Sequence, residues 1–94
     1  MADLIVRIAS YICLRYKQEF GVRIDEMKLH KLLYFAQRES MIQLGKPLFK
    51  NCFEAWKYGP VMVSIRQKYR CDALHDDLTI EEKEYYKSIF DSVF

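Results

Sequence analysis

The stretch that most constrains the fold runs from Met27 to Ile42, where apolar residues recur at helical spacing on three sides of one predicted helix. The three apolar faces are Leu29, Leu32, Leu33 and Ala36; Phe35 and Ile42; and Tyr34 and Met41. A helix that is apolar on so many sides is typical of one covered by its neighbours. We therefore predict a central helix that begins after an N-cap at Asp25 and ends at Gly45.

The rest of the pattern predicts a mainly α fold, a small helical domain of about four helices. Its 94 residues (1–94) are enough for a single domain. The first helix is predicted from about Ala2 to Glu19, and the third opens at Pro60. A Thr-x-x-Glu capping box at Thr79 and Glu82 opens the fourth. The residues predicted to face inward are Ile5, Ile8, Ile12 and Tyr16 on the first helix, Val61, Ile65 and Tyr69 on the third, and Tyr86, Ile89, Phe90 and Val93 on the fourth.

Between the second and third helices lies a short aromatic segment, residues 48–57. Its apolar runs are too short for helices and are rich in Phe and Trp, which favour strands. We expect a short extended or β-hairpin segment here, with its turn at Lys50 and Asn51.

Catalytic and metal-binding motifs are missing from the sequence. Cys13, Cys52 and Cys71 are odd in number and far apart, which indicates neither a zinc site nor a disulfide framework. We expect His30 to be a hydrogen-bonded structural residue and His75 to lie in a solvated loop. We predict no enzyme, no catalytic residue, no metal and no cofactor, in a cytoplasmic protein without a membrane span.

The best candidates for binding a partner are three residues of the aromatic segment and three basic residues of the predicted third helix. They are Trp56, Lys57, Tyr58, Arg66, Lys68 and Arg70. Large amphipathic aromatic residues beside cations are enriched at protein interfaces. The alternative is that Trp56 is buried under the second helix as the centre of the core.

A DNA-binding transcriptional regulator, of phage or prophage origin, is the second hypothesis. Residues 1–71 carry 13 Lys and Arg against 6 Asp and Glu, whereas residues 72–94 carry 2 against 7. Lys28, Lys31 and Arg38 could contact phosphates from the second helix. The connection from Phe20 to Ile24 is long and apolar for a helix-turn-helix, so nucleic acid is the less favoured partner.

Two blocks, Lys28–Ala36 and Phe53–Val61, occur in order with Gly45-Lys46-Pro47-Leu48-Phe49 between them. Together they resemble the Panacea domain of the SocA-like antitoxin family, which includes phage-associated proteins, over about residues 8–70. The resemblance implies a mostly helical fold with a short extended segment, and an antitoxin that neutralises a cognate protein toxin by direct binding. In one branch of the family it implies a proteolytic adaptor that delivers the toxin to a ClpXP-type protease.

Domains of this family continue for some tens of residues beyond the helix that begins near Thr79. From the resemblance we therefore expect this chain to lack the C-terminal part of the domain. Val93 and Phe94 close the sequence without a Gly or Asn cap, in line with that expectation; the alternative is a helix end that docks tightly on the core. We then expect Ile89, Phe90 and Val93 to present an uncovered apolar face.

Overall fold

The computed structural model describes residues 3–51 and 53–94, whose backbone forms five α-helices and one two-stranded antiparallel sheet. In chain order the elements are α1 (Leu4–Phe20), α2 (Glu26–Leu44), β1 (Glu54–Trp56), β2 (Gly59–Val61), α3 (Val63–Arg70), α4 (Ile80–Tyr85) and α5 (Lys87–Val93). The prediction of a mainly helical domain with a short hairpin is confirmed. The predicted start of the first helix at Ala2 lies outside the described residues.

The ends of the two long helices follow local sequence signals. The side chain of Asp25 accepts a hydrogen bond of 2.8 Å from the Lys28 backbone N–H, which makes it the N-cap of α2. Gly21 and Gly45 end α1 and α2 with φ of 74° and 69°, the left-handed conformation that glycine adopts at least cost. The predicted cap and the predicted end of α2 are confirmed.

The hairpin lies later in the chain than predicted. Its turn is Lys57 and Tyr58, so the predicted turn at Lys50 and Asn51 is wrong. Pro60 lies in β2 opposite Ala55 rather than in the first turn of a helix. Proline is tolerated there because a two-stranded sheet consists of edge strands only, where a missing N–H need not break a ladder bond.

The physical reason for the shift is a side chain of α2. The Gln37 amide oxygen accepts hydrogen bonds from the backbone N–H groups of Leu48 (2.7 Å) and Phe49 (3.2 Å). Its amide nitrogen donates to the Phe49 carbonyl at 2.8 Å. Ser40 likewise donates to the Lys46 carbonyl at 2.8 Å. This segment therefore satisfies its backbone on α2 instead of pairing as a strand.

The hydrophobic core is built on α2, against which α1, α5 and β2 pack. The buried side chains of the described residues are Ile5, Val6, Ile8, Ala9, Ile12, Ile24, Leu29, Leu33, Ala36, Leu48, Phe49, Met62, Ile65, Leu74, Leu78, Ile89 and Phe90. The predicted inward stripes of the first and last helical segments are among them or pack against them.

The prediction that α2 is covered on all its apolar sides is wrong. Tyr34 and Phe35 are each 43% exposed, Met41 is 51% exposed and Ile42 is 65% exposed. A domain of this size has too few elements to enclose one helix completely, because much of a small chain's surface stays in water. The second and third apolar faces of α2 therefore remain at the surface.

The predicted fourth helix is two short helices, α4 and α5, separated at Tyr86 (φ −96°, ψ 7°). The capping box is confirmed, since Thr79 and Glu82 each accept from the other's backbone N–H. Ile89 and Phe90 are buried, so the expected uncovered apolar face is wrong. The Phe90 ring packs 4.8 Å from the ring of Tyr11 on α1.

Candidate functional site

A groove of about 440 Å³ opens between the first half of α2, the hairpin turn and α3. We call it the α2–α3 groove. Its lining residues are Glu26, Met27, His30, Lys31, Trp56, Lys57, Tyr58, Pro60, Val61, Arg66 and Arg70. Five of the six residues predicted to bind a partner therefore lie together in one concave surface. The sixth, Lys68, is exposed on α3 and does not line the groove.

The position of α3 beside the start of α2 is fixed by Tyr69. Its hydroxyl donates a 2.7 Å hydrogen bond to the Ile24 carbonyl, in the connection between α1 and α2. The Arg23 guanidinium lies 4.0 Å from the centre of the Tyr69 ring and donates to the Tyr69 carbonyl at 2.8 Å. These contacts hold the basic face of α3 next to α2. The wall of the groove that α3 forms is therefore anchored near the C-terminal end of that helix.

Glu26 orients the two arginines of the groove. Its carboxylate accepts a 2.9 Å hydrogen bond from Arg70 Nε, and its second oxygen lies 3.6 Å from Arg66 Nε. Arg66 also places its guanidinium carbon 4.6 Å from the centre of the Trp56 ring. A cation over an indole face is attracted by the ring quadrupole, so Arg66 links helix α2 to the hairpin through two favourable contacts.

Trp56 is 42% exposed, so the alternative that it is buried as the centre of the core is wrong. Its indole N–H donates to the Glu54 carboxylate at 3.2 Å, at the rim of the groove. Tyr58 is 69% exposed and lies 5.4 Å, ring centre to nitrogen, from Lys57 Nζ. Two large aromatic residues with polar tips are thus presented to solvent beside cations, which is the composition of protein interfaces.

His30 forms the buried floor of the groove, with only 2% of its side chain exposed. Its Nδ1 accepts a hydrogen bond of 3.3 Å from the Met62 backbone N–H, so the prediction of a hydrogen-bonded structural histidine is confirmed. Burial lowers the pKa of His30 below its ordinary value, since the charged imidazolium is poorly solvated there. The neighbouring Glu26 carboxylate opposes this shift and the Arg66 guanidinium reinforces it.

Of the three residues considered for phosphate contact, only Lys31 lines the α2–α3 groove. Lys28 Nζ lies 5.5 Å from the centre of the Tyr16 ring, over α1. Arg38 is exposed on α2, seven residues after Lys31.

The remaining polar residues give little sign of chemistry. Within residues 3–51 and 53–94, no group of three His, Cys, Asp or Glu side chains could hold a metal ion. His75 Nε2 lies 3.4 Å from the Asp72 carboxylate, and both side chains are more than 70% exposed. Burial raises the pKa of the Cys13 thiol to about 11, and Cys52 lies outside the described residues. None of the described helices is long and apolar enough to cross a membrane.

The residues of the groove that were not predicted to bind a protein partner are Glu26, Met27, His30, Lys31, Pro60 and Val61. One signal was available, because Glu26 and His30 are four residues apart and so share one face of a helix. The packing of that face against α3 depends on contacts between residues some 40 positions apart, and local spacing does not show such contacts.

The chain matches the family model described as "Antitoxin SocA-like, Panacea domain" over residues 29–93. It is similar to the protein named Antitoxin SocA from Caulobacter vibrioides (strain NA1000 / CB15N), with 37% identity over 65 residues. That match covers 69% of this chain and 33% of the relative, so the shared region is about a third of the relative's length. No solved structure matches the chain. The matched region contains all of the groove except Glu26 and Met27.

Proposed function

Since the chain belongs to the SocA-like antitoxin family, whose members share the Panacea domain, we propose that it is the toxin-binding part of an antitoxin. In this proposal it neutralises a cognate protein toxin by direct contact, and it acts by binding rather than by catalysis. The contact surface is the α2–α3 groove with its exposed aromatic residues.

The observation that carries the proposal is the exposure of Trp56 and Tyr58 on a hairpin that Arg66 contacts. Large aromatic residues that lie together on an exposed surface are typical of binding sites, and Trp and Tyr are enriched in binding hot spots. Here the hairpin that carries them is anchored by Arg66, which itself is paired with Glu26. A preformed surface loses little conformational entropy on binding, so it favours affinity for a folded or extended partner.

The basic side chains at the groove support the same proposal. Arg66 and Arg70 project from one helix, and Lys57 from the hairpin turn. Cations around an apolar centre steer an acidic partner and accelerate its association. Arginine in particular is enriched at interfaces because its planar guanidinium binds carboxylates with two hydrogen bonds.

The test is growth rescue. From the family resemblance we expect the toxin to be encoded beside its antitoxin. The protein encoded next to this chain is therefore expressed alone and together with the gene product that contains residues 1–94. We expect the neighbour alone to arrest growth and co-expression to restore it. A neighbour that arrests growth equally with and without this protein, or one that is harmless, contradicts the proposal.

Delivery of the toxin to a ClpXP-type protease is a further step that the family resemblance implies for one branch. Rescue repeated in a host that lacks this protease separates the two modes of neutralisation. If masking alone is sufficient, rescue persists there and the toxin level is unchanged. If this protein is an adaptor, rescue disappears and the toxin accumulates.

The DNA-binding hypothesis is tested by the same purified protein. Binding to phosphate releases counterions, so retention on duplex DNA should fall steeply as the salt concentration rises. Salt-sensitive retention that is lost when Lys28 and Arg38 are changed to Gln would favour this second function over toxin binding.

A further inference from the structure

The floor of the α2–α3 groove carries a buried hydrogen-bond donor without a partner. His30 Nδ1 accepts from the Met62 N–H and therefore carries no proton, so the neutral ring carries its proton on Nε2. Nε2 has no hydrogen-bond partner among the described residues, and the nearest carboxylate oxygen, on Glu26, lies 4.0 Å away. Leaving a buried donor unpaired costs about 1–3 kcal/mol. An acceptor supplied by a ligand would recover this cost.

The groove is also electrically unbalanced. Among the described residues that line it, four side chains are cationic (Lys31, Lys57, Arg66 and Arg70) and only Glu26 carries a carboxylate. With His30 neutral, the lining carries a net charge of +3. Glu26 is already paired with both arginines, so it offsets them rather than Lys31 and Lys57. The groove therefore attracts a ligand that carries negative charge.

The remaining lining is apolar and accessible. Met27 is 46% exposed, and Trp56 and Tyr58 are exposed as well. Pro60 and Val61 are half-buried beside them and complete an apolar strip along one wall. A volume of about 440 Å³ is at the small end of ligand pockets, which span roughly 300–1,000 Å³. It accommodates a few side chains of a peptide and is too small for a folded element.

We propose that the α2–α3 groove binds an acidic, extended peptide segment of the partner protein. An aliphatic or aromatic side chain of the segment lies against Trp56 and Tyr58, and neighbouring carboxylates face the basic residues. His30 Nε2 has almost no exposed surface, so the side chains that cover it must shift before its N–H donates to a carbonyl or carboxylate oxygen of the segment. This inference rests on the proposed function only in identifying that partner as the toxin.

The experiment selects peptides from a phage-displayed library of random 12-residue sequences on the immobilised protein. We expect the selected peptides to be enriched in Asp and Glu next to Leu, Ile or Phe. Their binding is then measured with synthetic peptides by fluorescence of Trp56, the one tryptophan in the chain. Because Trp56 lines the groove, a peptide bound there shifts or quenches its emission.

The matched variants separate the groove from general charge. In the first, Lys31→Gln is combined with Lys57→Gln, which removes two groove cations and leaves the pairs of Glu26 intact. In the second, Lys50→Gln is combined with Lys68→Gln, which removes the same charge from exposed positions outside the groove. We expect the first to weaken the selected peptides about tenfold and the second to change affinity less than threefold, with circular dichroism showing that both remain folded.

His30 supplies a second readout in the unmodified protein. On peptide binding, the Nε2 proton should become protected from exchange and appear as a downfield resonance in ¹⁵N-edited NMR spectra. Several results overturn the inference: selection of peptides without acidic residues, no peptide recovered above background, equal affinities for the two double variants, or binding with no change at His30. If duplex DNA binds the unmodified protein and loses about tenfold in affinity for the Lys31→Gln and Lys57→Gln variant, the groove is a nucleic-acid site instead.

The two proposals fail separately. If growth rescue fails while acidic peptides bind in the groove, the toxin-binding function falls and the peptide site stands. If rescue succeeds equally with the Lys31 and Lys57 variant, and acidic peptides do not bind, the function stands and the peptide site falls.

Discussion

The guanidinium carbon of Arg66 lies 4.6 Å from the centre of the Trp56 ring, so a residue of α3 supports the exposed tryptophan of the hairpin. Arg66 also approaches Glu26 on α2 to within 3.6 Å. The same side chain therefore joins three elements at the α2–α3 groove. A two-stranded hairpin is marginal by itself, and here it is supported by this contact together with the packing of β2 against α2.

The contact between Arg66 and Trp56 should be measurable as a coupling energy. We expect a double-mutant cycle with Arg66→Gln and Trp56→Leu to give about 0.5–1 kcal/mol, the magnitude of a partly exposed cation–π contact. The measurement is urea unfolding of the four proteins followed by far-ultraviolet circular dichroism. Strictly additive effects of the two changes would show that the ring and the guanidinium do not stabilise each other.

Gln37 should be essential for the segment that precedes the hairpin. Replacing it with Leu leaves two backbone N–H groups and one carbonyl without partners, and we expect a loss of about 2–4 kcal/mol in the free energy of unfolding. Gln67→Leu, at an exposed position of α3, is the matched control and should change stability by less than about 0.5 kcal/mol. Similar losses for the two variants would contradict the role given to Gln37.

The free energy of unfolding should decrease as the pH is lowered, because of His30. Its pKa is lowered in the folded protein, so between the ordinary value of 6.5 and the lowered value the unfolded chain binds more protons than the folded one. The contribution of neutral His30 to the free energy of unfolding is fully present above pH 6.5 and is lost as the pH falls through the lowered pKa. Over this range the free energy of unfolding changes by at most about 1.4 kcal/mol per pH unit.

The pH dependence is checked by urea unfolding at pH 7.5, 6.5 and 5.5. His30→Gln should flatten the decline, because it removes the titrating group while an amide oxygen remains to accept from the Met62 N–H. His75→Gln, at an exposed position, is the matched control for the removal of one imidazole. An unchanged slope in the His30 variant would show that another group causes the decline.

The cysteines should differ in reactivity. Because burial raises the pKa of Cys13 to about 11, only about one thiol in 3,000 is ionised at pH 7.5. Cys71 is exposed at the end of α3. We expect iodoacetamide to modify Cys71 at least tenfold faster than Cys13, as measured by peptide mass spectrometry. The difference should vanish in urea, and equal rates in the folded protein would contradict the burial of Cys13.

Features set by neighbouring residues in the sequence were predictable. The caps at Asp25 and Gly45, the apolar stripe of α1 and the box at Thr79 depend on residues within four positions of one another. The position of the hairpin was not predictable, since it depends on Gln37 binding a segment 11 and 12 residues away. Spacing within the segment gives no sign of that contact.

The sequence predicted five of the residues that line the groove, but neither the rest of the lining nor its shape. Trp56, Tyr58 and the arginines could be recognised from their interface chemistry. Their convergence around Glu26 and His30 depends on the packing of α3 against α2, which is fixed by contacts such as Tyr69 to Ile24. The exposure of Tyr34 and its apolar neighbours on α2 was missed because periodicity shows which residues are apolar, and the number of covering elements decides which are buried.

Titration calorimetry with the purified toxin shows whether the α2–α3 groove is the toxin-binding surface that we propose. Trp56→Ala and Arg66→Glu should each weaken binding at least tenfold, the loss expected for hot-spot residues. Tyr85→Ala and Lys68→Glu, which change an exposed aromatic residue and an exposed cation outside the groove, should bind within threefold of the unmodified protein. If folded Trp56→Ala and Arg66→Glu proteins bind the toxin as tightly as the unmodified protein does, the groove is not the toxin-binding surface.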